Sequence, residues 1–166
     1  RTGHLRLTPA NGFQYVRVDD FGVQDGVART AMLSPGTGSF SVQGWLDAPV
    51  LTGSNDAVII FQKQLDGGVD TRGYTVFISG SEVHFQVMSG TSNVASVSAP
   101  MSQMPMFFSA VCDRSSVTAS VALYTATTGT YPVLVDSTSI AIGARLDLAS
   151  GSFYIGSGSI ASNVVR

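Results

Sequence analysis

Two alternating runs separated by a two-residue polar break constrain this chain more than any other feature. Tyr74, Val76 and Ile78 alternate with their neighbours in the first run, and Val83, Phe85 and Val87 do so in the second. A period of two places each set on one side of an extended ribbon. Between them Gly80 supplies the backbone freedom that a tight turn demands. Residues 73–79 and 82–88 therefore predict an antiparallel β-hairpin.

The same period recurs along the chain. In residues 40–46, Phe40, Val42 and Leu46 fall on one side and Ser41, Gln43 and Trp45 on the other, while Pro49, which has no N–H for a ladder, ends the strand. Residues 57–61 form a continuous β-branched run of strand length, which suits a strand covered on both faces. Strands are also expected at 3–7 and 13–18, joined by the turn residues Pro9, Asn11 and Gly12, and at 93–98 and 106–112. Another is expected at 117–124, with Val117, Ala119, Val121 and Leu123 on one face. The last three fall at 133–136, 139–142 and 152–156. Residues 19–36 read as loop with a short strand near 29–33, residues 51–55 as turn, and 100–105 as a methionine-bearing loop. Residues 125–130, rich in Thr and closed by Gly129, form an exposed tip. No helix beyond a turn or two near 143–149 is expected. Strands at this spacing predict an all-β fold in which two antiparallel sheets pack face to face as a jelly-roll sandwich, a single domain over residues 1–166.

The segment Phe40-Ser41-Val42-Gln43-Gly44-Trp45-Leu46-Asp47-Ala48-Pro49 resembles the Phe-Thr-Val-Glu-Ala-Trp-Val-x-Pro segment of laminin G-like domains, in the concanavalin A-like lectin/glucanase group. The likeness continues in Leu5-Arg6-Leu7 with Tyr15-Val16-Arg17-Val18, in the glycine-bearing loop 64–72, and in the hairpin opened by Gly73-Tyr74. Phe107 to Asp113 with Val121 to Tyr124, and Phe153-Tyr154-Ile155-Gly156, extend it to most of the chain. Met106-Phe107 stands where the family has Trp-His, and residues 158–166 are a shortened, acid-free counterpart of its closing segment. The closing strand is then abbreviated, cut off, or completed by another part of an assembly. The resemblance implies a concanavalin A-like sandwich that recognises ligands through rim loops, with calcium bound in some members.

Composition narrows the function classes. With 44% hydrophobic and 12% charged residues in 166, the chain can bury a substantial core. No apolar run approaches bilayer-spanning length, so no membrane insertion is expected. The chain opens on Arg1 without a leader, and is expected to be a processed or excised piece. Net charge is −2, and the nine basic residues are scattered, which argues against nucleic acid. One lysine, Lys63, stands against eight arginines, a bias that no sequence-level argument explains. The lone Cys112 lies in an apolar run and reads as a small core residue.

Glycoside hydrolysis requires two positioned carboxyls, whereas this chain has one glutamate, Glu82, and no aspartates that alternate on a strand. His4 and His84 sit in no nucleophile-bearing motif, and His84 reads as a solvated or hydrogen-bonded strand residue. No enzyme is expected. Asp66 and Asp70 share the loop 64–72 and Asp56 precedes the strand leading to it, so these three are the candidate calcium ligands, and no cofactor other than calcium is expected. Asp66, Asp70, Arg72 and Tyr131 are the candidate ligand-binding residues, all on connections. Trp45 lies inside the resembling motif and is expected to be packing rather than contact surface.

Two functions follow as expectations. One is a non-catalytic recognition module that binds glycan or a protein partner through rim loops on an extracellular, cell or virion surface. The other is a structural β-sandwich subunit of a larger particle, with neighbouring subunits as partners, since an unpaired edge is a template for strand addition.

Overall fold

A computed structural model describes residues 15–18, 23–24, 27–28, 35–47, 57–64, 72–89, 94–141, 146 and 153–156. Its strands are β1 (Tyr15–Val18), β2 (Val23–Gln24), β3 (Val27–Ala28), β4 (Phe40–Leu46), β5 (Ala57–Gln64) and β6 (Gly73–Ser79). They continue as β7 (Glu82–Met88), β8 (Val94–Pro100), β9 (Met106–Asp113), β10 (Ala119–Thr127), β11 (Val133–Ile140) and β12 (Phe153–Gly156). The described residues contain no helix.

The predicted hairpin is β6–β7, in register from Gly73 opposite Met88 to Ser79 opposite Glu82, with Gly80 at φ 59° in the turn. It lies within a six-stranded sheet of order β1-β12-β5-β6-β7-β8. A second sheet has the order β11-β10-β9-β4, and β2 pairs with β3 separately. All described pairings are antiparallel. The fold is a two-sheet antiparallel β-sandwich.

The core fills the space between the two larger sheets. Val76, Ile78, Val83, Phe85, Val87 and Val97 come from the six-stranded sheet, and Phe108, Ala110, Cys112, Val121 and Leu123 from the four-stranded one, all buried. Each large apolar side chain so placed contributes about 1.5–3 kcal/mol relative to exposure. Rings bridge the layers. Phe40 of β4 meets Tyr74 and Phe85 at 4.8 and 6.3 Å between centroids, and Phe61 of β5 meets Phe108 of β9 at 6.2 Å. Such pairs fix the sheets laterally as well as excluding water.

Lys63 is buried at 0% exposure, in register with Tyr74 on one side and Phe153 on the other. The lysine that the composition singled out belongs to the interior.

Several expectations shift. Val117 is 94% exposed and precedes β10, which begins at Ala119 and runs on to Thr127, so Val117 does not join the buried face of that strand. The two expected strands 133–136 and 139–142 are one, because β11 pairs continuously with β10 from Thr125 opposite Val133 to Ala119 opposite Ile140, around a bulge between Leu123 and Tyr124. The run at 57–61 is part of a longer β5, and Val58 at its open start is 46% exposed. The strand buried on both faces is β6, central in its sheet. The expected strands 3–7 and 29–33, the turn 51–55 and the closing segment 158–166 lie outside the described residues, as does all but Leu146 of the segment 143–149.

Candidate functional site

Of the sequence-derived site residues, Asp56, Asp66 and Asp70 lie outside the described residues. Arg72 is half-buried immediately before β6, and Tyr131 is 90% exposed just before β11, so the two belong to different sheets. Among the described residues, no three His, Cys, Asp or Glu side chains gather as a metal would require.

The feature that the sequence reading misplaced is Trp45. Expected to be packing, it is 60% exposed, and it meets Phe107 of β9 edge-to-face at 5.7 Å. The cause is the pleat itself. Phe40, Val42, Gly44 and Leu46 face the core, which leaves Ser41, Gln43 and Trp45 on the outer side. The alternation within residues 40–46 carried this signal, and the resemblance overrode it.

Register extends the outward face across the whole four-stranded sheet, because antiparallel partners share a side. Trp45 aligns with Phe107 and Ala126 in one row. Gln43, Ser109, Tyr124 and Leu134 form the next, and Ser41, Val111, Ala122 and Ser137 the third. The fourth holds Asp113, Ser120 and Ser139. Ala122 and Ala126 are 8% and 7% exposed although they point outward, because larger neighbours cover their small side chains.

The tip beyond β10 lies at the Trp45 end of this face, because Thr127 pairs with Met106 and Met106 with Leu46. The tip is a clamped turn. Thr127 N–H donates to Thr130 Oγ1 at 2.9 Å, Thr130 Oγ1 donates to the Thr127 carbonyl at 2.9 Å, and Thr130 N–H donates to that carbonyl at 3.0 Å. Gly129 takes φ 84° to close it. Tyr131 thus leaves a fixed base. Beyond it the sheet-edge strand β11 exposes Val133, Leu134 and Val135 at 62%, 53% and 41%.

At the opposite end, the Asp113 carboxylate accepts from Ser39 Oγ at 2.9 Å and from Ser115 N–H at 3.0 Å. These hydrogen bonds, with one from Ser115 Oγ, hold its carboxyl below the usual carboxylate range. Arg114 donates from its N–H to Ser39 Oγ at 2.8 Å and from Nη1 to the Gly36 carbonyl at 2.6 Å. The group ties the turn before β4 to the end of β9, and it acts as a structural latch.

The reactive residue types are likewise in structural settings. Cys112 is fully buried, and burial pushes its thiol up to about 11, far from a nucleophilic thiolate at neutral pH. His84 stacks on Phe77 at 4.8 Å and 7° between planes. Burial lowers its pKa despite Glu82 at 3.7 Å, so near neutrality the imidazole is uncharged.

No protein-family model matches the chain, and no curated protein does. What stands on the structure is the β-sandwich and the composition of its surfaces.

Proposed function

We propose that this chain is a non-catalytic recognition module of the laminin G-like kind, binding a glycan or a protein partner while displayed on an extracellular, cell or virion surface. One observation carries the reading. Trp45 is 60% exposed on a strand, propped by Phe107. A large ring held out by a rigid sheet loses little conformational freedom on contact, which makes it an economical anchor for a ligand. Tyr131, exposed on the clamped tip at the same end of the sheet, adds a second aromatic. A glycan array probed with and without calcium tests the sugar version: retention on a defined glycan supports it, and no retention in either condition removes it. Loss of retention on chelation would implicate the aspartates Asp56, Asp66 and Asp70.

A second reading, a β-sandwich subunit of a larger particle, is favoured by β11. Both faces of this edge strand are exposed along most of its length, and it carries Val133, Leu134 and Val135 at the surface. Among the described residues its outer edge has no ladder partner, and such an edge accepts a strand from a neighbour. Light scattering that shows a monomer at high concentration would remove this reading, whereas association that Leu134→Lys abolishes would support it.

A further inference from the structure

We infer that the outward face of the four-stranded sheet, centred on Trp45, Phe107 and Tyr124, is a platform for an uncharged glycan; this rests on the recognition-module reading and names its ligand class and surface.

The face is mixed in a particular way. Trp45 and Phe107 lead one row, and the next runs Gln43, Ser109, Tyr124, so rings alternate with an amide and a hydroxyl rather than forming a continuous apolar patch. An aromatic face carries negative quadrupole charge and attracts the electropositive C–H groups that line one side of a sugar ring. The Gln43 amide and Ser109 hydroxyl supply donors and acceptors for the sugar hydroxyls. A purely apolar partner would leave those polar groups unpaired, at a cost for each.

Charge narrows the class further. The three rows that begin with Trp45 hold no formal charge among their described residues; the acidic groups stand at either end, exposed Asp47 two residues beyond Trp45, and Asp113 in the fourth row with its carboxylate engaged by Ser39 and Ser115. An acidic polysaccharide or a nucleic acid needs cations on the surface it meets, and these rows offer none.

Dimensions fit a chain rather than a single ring. Trp45 and Tyr124 are two strands and one row apart, about 12 Å between backbone positions at ordinary sheet spacings. Ala126, small and almost wholly covered, sits beside Phe107 in the Trp45 row and adds no bulk of its own to the face. The ligand would lie across the strands, stacked at the Trp45 end and hydrogen-bonded along the second row.

The chain has a single tryptophan, so its emission reports this face alone. The protein is titrated with cello-, chito-, malto- and xylo-oligosaccharides, and with heparin and polygalacturonate as charged counterparts, while emission is recorded. Binding of the same probes is measured independently by calorimetry for the wild type, Trp45→Ala, Tyr124→Ala and Tyr131→Ala. The expected result is a saturable blue shift with at least one neutral oligosaccharide. Trp45→Ala should weaken its binding roughly tenfold or more, Tyr124→Ala severalfold, with unchanged circular dichroism. If a neutral glycan binds equally well to Trp45→Ala, or if Tyr131→Ala alone abolishes binding, the platform is overturned while the recognition module stands. Binding of the acidic polymers alone overturns the ligand class and again spares the module. No binding of any sugar, here and on the array, overturns both the inference and the sugar version of the module.

Discussion

The Asp136 carboxylate, on the edge strand of one sheet, accepts the backbone N–H of Ser98, on the edge strand of the other, at 3.0 Å. A side chain of β11 thereby occupies a ladder donor of β8 and joins the two layers along one side of the sandwich. Hydrogen bonds to ionised acceptors are stronger than neutral ones, and a lost acceptor leaves a partly buried donor unpaired. Asp136→Ala is therefore expected to lower stability by about 1–2 kcal/mol in urea unfolding. Asp136→Asn, which keeps an acceptor oxygen, should lose less. Equal losses for the two variants would show that the acceptor atom is immaterial.

Lys63 offers a second test. Its side chain is buried in register with Tyr74 and Phe153, so its aliphatic stem is part of the packing at that end of the core. Lys63→Ala is expected to cost roughly 2–4 kcal/mol, the range for truncating a long buried side chain. Substitution of an exposed residue such as Thr128 should change stability by less than about 0.5 kcal/mol. A denaturation midpoint for Lys63→Ala equal to the wild type would contradict the burial.

For His84 the prediction concerns pH. Its folded pKa lies below the ordinary 6.5, chiefly through burial. The unfolded chain then takes up the proton more readily than the folded one, so this group's contribution is complete above 6.5 and is lost as pH falls through the folded value. His84→Phe keeps a ring against Phe77 and removes the titration. Compared with that variant, the wild type should lose stability on acidification below 6.5 and run parallel to it at higher pH. The opposite slope would mean that Glu82 outweighs burial.

Cys112 predicts a chemical silence. Buried and with its thiol pushed up to about 11, it should resist iodoacetamide in the native protein at neutral pH. Labelling should appear only as the sandwich opens, with a denaturant midpoint matching that of circular dichroism. Labelling of the native protein at the rate of a free thiol would place Cys112 at the surface.

Alternation made much of this fold legible. The hairpin of Tyr74 and Val87 stands where the pattern puts it, because Gly80 between two alternating runs admits few other solutions. The burial of Cys112 and the exposure of Tyr131 were equally readable from their neighbours. Where strands end was less so. The pattern broke residues 133–142 in two, since Asp136 to Ser139 carries no apolar residue, yet a ladder needs only backbone groups and β11 continues through them. Val117 continued the apolar alternation of β10 on paper but lies outside the ladder. Trp45 shows the reverse failing, in which an expectation drawn from resemblance displaced a correct local signal.

By itself the sequence determined which side of each strand turns inward, because the pleat sends successive side chains to opposite faces whatever the chain does later. Which inward side gains a cover, and which outward side stays open, is a property of the strands brought against it from elsewhere. Only the tertiary structure set β4 beside β9 and β12 between β1 and β5, buried Lys63 in register with Tyr74 and Phe153, and left Trp45 standing on an open sheet. The physical reason is range: alternation is written into adjacent peptide units, whereas burial depends on partners far away in sequence.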